Sequence, residues 1–397
     1  MSSPKELFTL RDAEKRVGPR AFISLLKPAG SACNLGCRYC YYLGVARQYG
    51  GREPMMSGEL LEMYIKQYIE ANEVDKVEFY WHGGEPLMFG LEWFKKALKL
   101  ERKYAGGKEI TNSLQTNGTL INEDWCRFFS DNGFLVGLSL DGPRDIHDAY
   151  RLNKGGKPTF DKVRGAAAMM SRMHVDFNTL SVVNNLSEGR GLEVYRFFRD
   201  EIGSGFMQFL PAVDWLPDGS LAPWSVSGEG YGKFLCDAFD EWVRHDIGST
   251  YVQIFDATLA NWCGISPGIC TLCETCGDGL CVEHNGDVYP CDHFVSPDTL
   301  LGNIARTPLG EIYDSEKRLK FALSKRNGLP KDCLQCKYAF ACHGECPVHR
   351  QNGRNHLCEG FRMFFEHVSP AMDRMKELLL SNRAPADIMY EYKQTLQ

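Results

Sequence analysis

Between residues 21 and 213 the chain alternates six times between a short β-rich run and an amphipathic stretch. No other feature restricts its fold as much. The candidate strands are residues 22–27, 77–82, 111–116, 135–140, 176–183 and 206–213. One helix is expected after Ser57, a natural cap, because Leu61, Ile65 and Ile69 recur every four residues. Others are expected to begin near Leu91, Asn122, Thr159 and Gly189. Six β-then-α units in series imply parallel strands joined by helical crossovers. The expected class is α/β, as a partial (β/α)6 barrel over residues 21–230 behind an N-terminal extension, 1–20. A linking helical segment (231–255), a Cys-rich domain (256–370) and a terminal helix and tail (371–397) follow. The loops after the strands carry the unusual residues: Cys33 to Cys40, then Gly83-Gly84-Glu85-Pro86, Asn117-Gly118 and Asp141-Gly142-Pro143. In parallel α/β folds that end of the sheet is where chemistry gathers.

With 397 residues, 44% of them hydrophobic, the chain can bury a large core. A net charge of −6 gives no reason to expect nucleic-acid binding. No apolar run reaches the roughly 18–20 residues that span a membrane. The N-terminal stretch is polar and lacks the apolar core of a secretion signal. A cytoplasmic protein is therefore expected. Sixteen cysteines in such a chain point to metal or catalytic sulfur, since disulfides are disfavoured in a reducing compartment. Three fall between Cys33 and Cys40 and eleven between Cys263 and Cys358. Cys126 and Cys236 stand apart in helical patterns and read as small buried apolar residues.

Cys33, Cys37 and Cys40 lie in one loop, close enough to converge on a single inorganic cluster. A four-iron cubane with three Cys ligands leaves one iron open to an exogenous ligand. A zinc site sharing a distant ligand, or plain buried cysteines, are the bland alternatives. The Cys-x3-Cys-x2-Cys spacing, with Tyr39 before the last Cys, resembles the signature of the radical S-adenosylmethionine superfamily. That resemblance implies that the methionine group of S-adenosylmethionine chelates the open iron, and that reductive cleavage yields a 5′-deoxyadenosyl radical. It also implies cofactor contacts from Gly83, Gly84 and Glu85 at the second strand's end, from Ser139 and Arg151 to the ribose and carboxylate, and from Leu210 to the adenine. Alone, Ser139, Arg151 and Leu210 would each more often be structural, and Gly83-Gly84-Glu85-Pro86 would be an ordinary strand-ending turn.

The downstream cysteines offer two readings by spacing. Cys333, Cys336, Cys342 and Cys346 could form one tetrahedral zinc site, but this strands Cys276, Cys291 and Cys358. The whole pattern instead resembles the SPASM extension of peptide-modifying radical enzymes. By that resemblance Cys270, Cys276, Cys291 and Cys346 hold one auxiliary four-iron cluster, and Cys333, Cys336, Cys342 and Cys358 hold the other. Three [4Fe-4S] clusters are then implied in all. Cys273 rivals Cys270 as the eighth ligand, and Cys263 and Cys281 are unassigned.

Among SPASM enzymes the chain resembles the anaerobic sulfatase-maturating enzymes along nearly its whole length. Lys27-Pro28-Ala29-Gly30, Gln115-Thr116-Asn117-Gly118-Thr119-Leu120, Cys291-Asp292-His293-Phe294 and Cys342-His343-Gly344-Glu345-Cys346-Pro347 carry the likeness. It implies oxidation of a Cys or Ser of a sulfatase, within a Cys/Ser-x-Pro/Ala-x-Arg segment, to Cα-formylglycine. It further implies Asp292 as proton acceptor and an electron donor such as a ferredoxin or flavodoxin. A thiol of pKa about 8.5 needs a base at neutral pH, and a hydroxyl needs one more. Relatives often carry Gln where this chain has His82, a position implied to touch the substrate peptide; an imidazole still offers a donor and an acceptor. A thioether-forming maturase is the alternative within the class, and such enzymes often carry an extra N-terminal domain before the first strand. A plain electron carrier would have no use for an incomplete three-Cys cluster beside a strand-end site.

Overall fold

The computed structural model describes residues 19–49, 55–277 and 279–395. The extension expected over residues 1–20 lies almost wholly outside them. Six parallel strands form the centre: β1 (Ile23–Lys27), β2 (Lys76–Trp81), β3 (Glu109–Thr116), β4 (Phe134–Ser139), β5 (Phe177–Val183) and β6 (Phe206–Pro211), in that spatial order. Their ends fall within two residues of the expected bounds. The crossovers carry α1 (Gly58–Ala71), α2 (Leu91–Tyr104), α3 (Glu123–Asp131), α4 (Arg144–Tyr150), α5 (Phe160–Arg172) and α6 (Gly191–Arg196). Side-chain caps set two of the starts: Ser57 accepts from the Leu60 amide and Asn122 from the Trp125 amide.

Strand alternation separates the two faces of the sheet. Phe79, Trp81, Leu114, Val136 and Leu138 pack with Tyr64, Ile65, Phe94 and Phe129 of the helices in one core. Gln115, Ser139, Asn178 and Gln208 fall on the other face, where Gln115 Nε2 donates to Ser139 Oγ at 2.9 Å and Gln208 Nε2 to Asn178 Oδ1 at 3.5 Å. A barrel wall that is apolar outside and polar inside suits a polar ligand.

The sheet does not stop at six strands. β7 (Tyr251–Val252) pairs in parallel with β6, and β8 (Gly279–Glu283) pairs in parallel with β1 along its whole length. β9 (Asp287–Tyr289) and β10 (Gly302–Asn303) then extend the edge antiparallel, giving ten strands. The Cys-rich stretch thus contributes three strands to the main sheet. Two helices lock the far side: α7 (Gly228–His245) lies along α10 (Cys358–Leu380), with α8 (Gln253–Trp262) and α9 (Glu316–Asn327) between them in the chain. Their approach needs glycine, since a Cβ on Gly360 would sit 1.9 Å from the Gly228 carbonyl oxygen. The terminal helix expected from residue 371 begins at Cys358 and runs through Pro370. A proline in sequence marks a break, but here packing on α7 carries the helix across it.

Candidate active site

The Cys33 loop leaves β1 and is tied to the loop after β2. Gly84 N donates to Gly30 O at 2.8 Å and Glu85 N to Ala32 O at 2.9 Å. A Cβ on Gly84 would fall 2.0 Å from Ala32 O, so only glycine permits the contact. Around the thiols lie donors and the Arg151 cation, with the Glu85 and Asp141 carboxyls also near. Leu35 N donates to Cys33 Sγ at 3.4 Å and Asn117 Nδ2 at 3.6 Å. Burial pushes all three thiols up to about 11, while the Arg151 guanidinium works against this at Cys37 and Cys40. This is a donor set for an anionic cluster. Among the described residues no three His, Cys, Asp or Glu side chains converge on a point that could hold a single ion. Cubane ligands need no such convergence, because each meets its own iron.

The other sequence candidates fall at the same end of the sheet. Gly83 and Gly84 follow β2, Ser139 closes β4, Arg151 follows α4, and the half-exposed Leu210 is next to last in β6. Arg151 is buried; its Nε donates to Asp141 Oδ1 at 2.9 Å and its guanidinium lies 5.5 Å from the Tyr39 ring centre. The Tyr39 hydroxyl donates to the other oxygen of Asp141. The Glu85 side chain turns into the protein instead. It accepts from Leu87 N at 3.0 Å, Thr116 Oγ1 at 2.9 Å and Asn117 N at 2.8 Å, and burial lifts it to about 7. Its carboxyl fastens the third loop to the second, while the Gly83, Gly84 and Glu85 amides are bonded to His82 and the Cys33 loop.

Asp292 is nearly buried, and Lys27, the last residue of β1, reaches it: Nζ lies 2.9 Å from Oδ2. The Tyr41 hydroxyl donates to the same oxygen at 2.6 Å. Burial alone would raise this carboxyl, but the Lys27 ammonium, with the Tyr41 hydroxyl, holds it well below the usual carboxylate range. The lysine is raised in turn: burial works against it, but Asp292, Cys281 and Glu283 together outweigh that burial. The same ammonium is 3.0 Å from His82 Nδ1, which also accepts from Gly83 N at 2.8 Å. Burial and Lys27 lower His82 to about 3, so the ring is neutral. With Nδ1 accepting twice, the hydrogen is assigned to Nε2. Sequence reasoning gave no role to Lys27 or Tyr41. The available signal was a lysine ending an otherwise apolar run, Ile23-Ser24-Leu25-Leu26-Lys27, directly before the Cys loop.

The downstream thiols gather in two sets. Cys270 neighbours Cys276, Cys291 and Cys346, and Cys346 also neighbours Cys276 and Cys291. Cys333 neighbours Cys336 and Cys358, and Cys342 neighbours Cys333 and Cys358. Cys273 stands beside Cys270 and Cys276. Cys281 is wholly buried in β8 near Lys27 and the Tyr42 hydroxyl, and Cys263 ends α8. Cys126 and Cys236 are packed in the core.

Residues 28–198 match the family model described as the radical SAM superfamily, and residues 270–337 match that of an iron–sulfur cluster-binding domain, SPASM. Fold and site therefore define a radical S-adenosylmethionine enzyme with a SPASM region, a class whose cofactors are S-adenosylmethionine and [4Fe-4S] clusters. A serine-type anaerobic sulfatase-maturating enzyme of Bacteroides thetaiotaomicron is 45% identical, over 93% of this chain and 94% of its own. A cysteine-type enzyme of Clostridium perfringens is 35% identical, over 88% and 96%. The solved structure described as native anSMEcpe with bound AdoMet superimposes with a TM-score of 0.83 at 34% identity, covering 89% of this chain and 99% of that one. The chain belongs to the family of anaerobic sulfatase-maturating enzymes.

Proposed function

We propose that this enzyme oxidises a Cys or Ser of a sulfatase polypeptide, in a Cys/Ser-x-Pro/Ala-x-Arg segment, to Cα-formylglycine without oxygen. The observation that carries this reading is Asp292. It directly follows Cys291, lies beside the end of β1, where the Cys33 loop begins, and is kept ionised in a buried site by Lys27 and Tyr41. Cys33, Cys37 and Cys40 would hold the cluster that binds S-adenosylmethionine. Cys270, Cys276, Cys291 and Cys346 would hold one auxiliary cluster, and Cys333, Cys336, Cys342 and Cys358 the other. When bound, these groups supply a hydrogen-abstracting 5′-deoxyadenosyl radical and a sink for the electron left on the substrate.

The chain's own residues bind, orient and take a proton. The Gly83–Glu85 backbone, Ser139, Arg151, Leu210 and Tyr39 form the wall for the nucleotide. His82 Nε2–H is a donor for a carbonyl of the substrate peptide. Asp292 accepts the proton of the substrate thiol or hydroxyl. Its depressed basicity is tolerable because an O–H or S–H on a carbon radical is far more acidic than its closed-shell parent. The substrate thus loses one hydrogen atom from Cβ, one proton to Asp292 and one electron. Serine gives the aldehyde directly; cysteine gives a thioaldehyde that water converts to the aldehyde with release of hydrogen sulfide. A ferredoxin or flavodoxin is the fitting electron donor. A cytoplasmic location suits these oxygen-sensitive clusters; among the described residues no helix is long and apolar enough to cross a membrane.

Reconstituted enzyme, incubated anaerobically with reductant, S-adenosylmethionine and Ser- or Cys-containing sulfatase-motif peptides, should form the peptide aldehyde and 5′-deoxyadenosine together by mass spectrometry. 5′-Deoxyadenosine beside an unchanged peptide would sink the assignment. Asp292→Asn should abolish aldehyde while the protein keeps about twelve iron atoms; a large loss of iron would make Asp292 structural.

A further inference from the structure

Lys325, near the end of α9, is completely buried, and its ammonium donates to the carbonyls of Cys270 at 2.7 Å and Thr271 at 2.8 Å. It has no carboxylate partner among the described residues. Arg350, half-buried, also has no carboxylate partner among them. Its guanidinium is spent on carbonyls: Lys325 O at 2.9 Å, Gly344 O at 3.0 Å, Glu345 O at 3.0 Å and His343 O at 3.4 Å. The nearby buried carboxylate, Glu345, is occupied by His349 at 2.8 Å and Asn355 at 2.6 Å. A buried charge without a counter-charge is held out of water at a high cost. Carbonyl dipoles offset part of that cost. The rest requires an anion.

The thiols show where that anion belongs. Lys325 acts on Cys270 and Cys276, both of the first auxiliary set. Arg350 acts on Cys276 of that set and on Cys333 of the second. A cubane ligated by four thiolates is an anion and gains one further negative charge on reduction. A fixed cation in a low-dielectric surround favours the more negative state.

We propose that Lys325 is the built-in counter-charge of the cluster held by Cys270, Cys276, Cys291 and Cys346 and raises its reduction potential, poising it to take the electron released by the substrate. This rests on the ligand assignment proposed above. It places the electron's destination at Cys291 and the proton's at Asp292, adjacent residues of one turn. Proton and electron then leave the substrate in the same direction, and Lys325 stabilises the charge that arrives.

The test is an EPR-monitored redox titration of the full-length chain with Cys33, Cys37 and Cys40 replaced by alanine, so that only auxiliary clusters give signals. Iron content reports on the ligand assignment: about eight atoms per chain are required, and about four would overturn that assignment and, with it, the proposal. In this background Lys325→Met and Lys325→Gln should keep the iron. Both should lower one midpoint by about tenfold in the reduction equilibrium, roughly 59 mV for one electron. Lys325→Arg, which keeps the charge, should leave it near the parent value. A midpoint unchanged in both neutral variants, or lowered equally in Lys325→Arg, would overturn the proposal. If the neutral variants lose iron, Arg350→Gln decides: lowered midpoints support a counter-charge role for this cationic pair, and unchanged ones refute it.

Discussion

Lys27 holds two groups of the candidate site at once. Its ammonium is the counter-charge of Asp292 and also a hydrogen-bond donor to His82. Removing one partner of a buried ion pair strands the other, at a cost of about 3–5 kcal/mol. Lys27→Met should therefore lower the denaturation midpoint more than Lys27→Met combined with Asp292→Asn. A double-mutant cycle that showed simple additivity would mean the two groups do not share their charge. Glu101 gives the pH dependence. It is buried on α2, accepts from Asn112 through one oxygen at 2.9 Å, and leaves the other without a partner; burial lifts it to about 7. The folded chain therefore keeps a proton that the unfolded chain, near its ordinary 4.5, releases. The stability from this group is complete below about pH 4.5 and is lost as pH rises toward 7, by up to about 3 kcal/mol. Glu101→Gln, neutral at every pH, should gain on the parent protein between pH 5 and 8 in denaturant titrations; parallel curves would contradict the assignment. At this scale the cysteines were readable because thiols are rare and their spacing is chemical. Lys27 and Tyr41 were not, because their meaning comes from Asp292, more than 250 positions away.

The elements were legible wherever a strand and the helix after it obey their own periods. β1 to β6 follow that rule, as do Ser57 and Asn122 as caps. β8 and β9 escaped notice because five and three residues within a Cys-rich stretch offer little alternation. Their signal was the turn between them, where Asn285-Gly286 joins two short apolar runs and Gly286 takes a φ of +87°. The loop after β2 shows how one element can set another. With its Cβ position 2.0 Å from Ala32 O, Gly84 fixes the distance between the two loops. Gly84→Ala should displace the Cys33 loop and cost about a third of the iron, four atoms of about twelve, with the auxiliary share retained. Full iron content in that variant would show that the loop can yield.

Across the whole molecule, the expected divide near residue 256 is bridged by hydrogen bonds and packing. β1 lies between β2 and β8, so the strand that launches the Cys33 loop is held on one side by the Cys-rich stretch. α10 covers α7 through glycine contacts. A chain ending at residue 250 would bare a β1 edge and the α7 face together, and exposed edges of this kind pair indiscriminately. It should aggregate on expression and fail to load the first cluster; a soluble fragment with about four iron atoms would show that the barrel stands alone. The pairing of β1 with β8 also bears on synthesis. A ribosome makes the Cys33 loop early but supplies its β8 neighbour only some 250 residues later, a delay on the order of tens of seconds. During that interval the strand that launches the Cys33 loop has one flank unbuilt. A chain arrested on the ribosome before residue 279 is therefore expected to carry no iron on the Cys33 loop, and iron on such a chain would show that the loop needs no second flank.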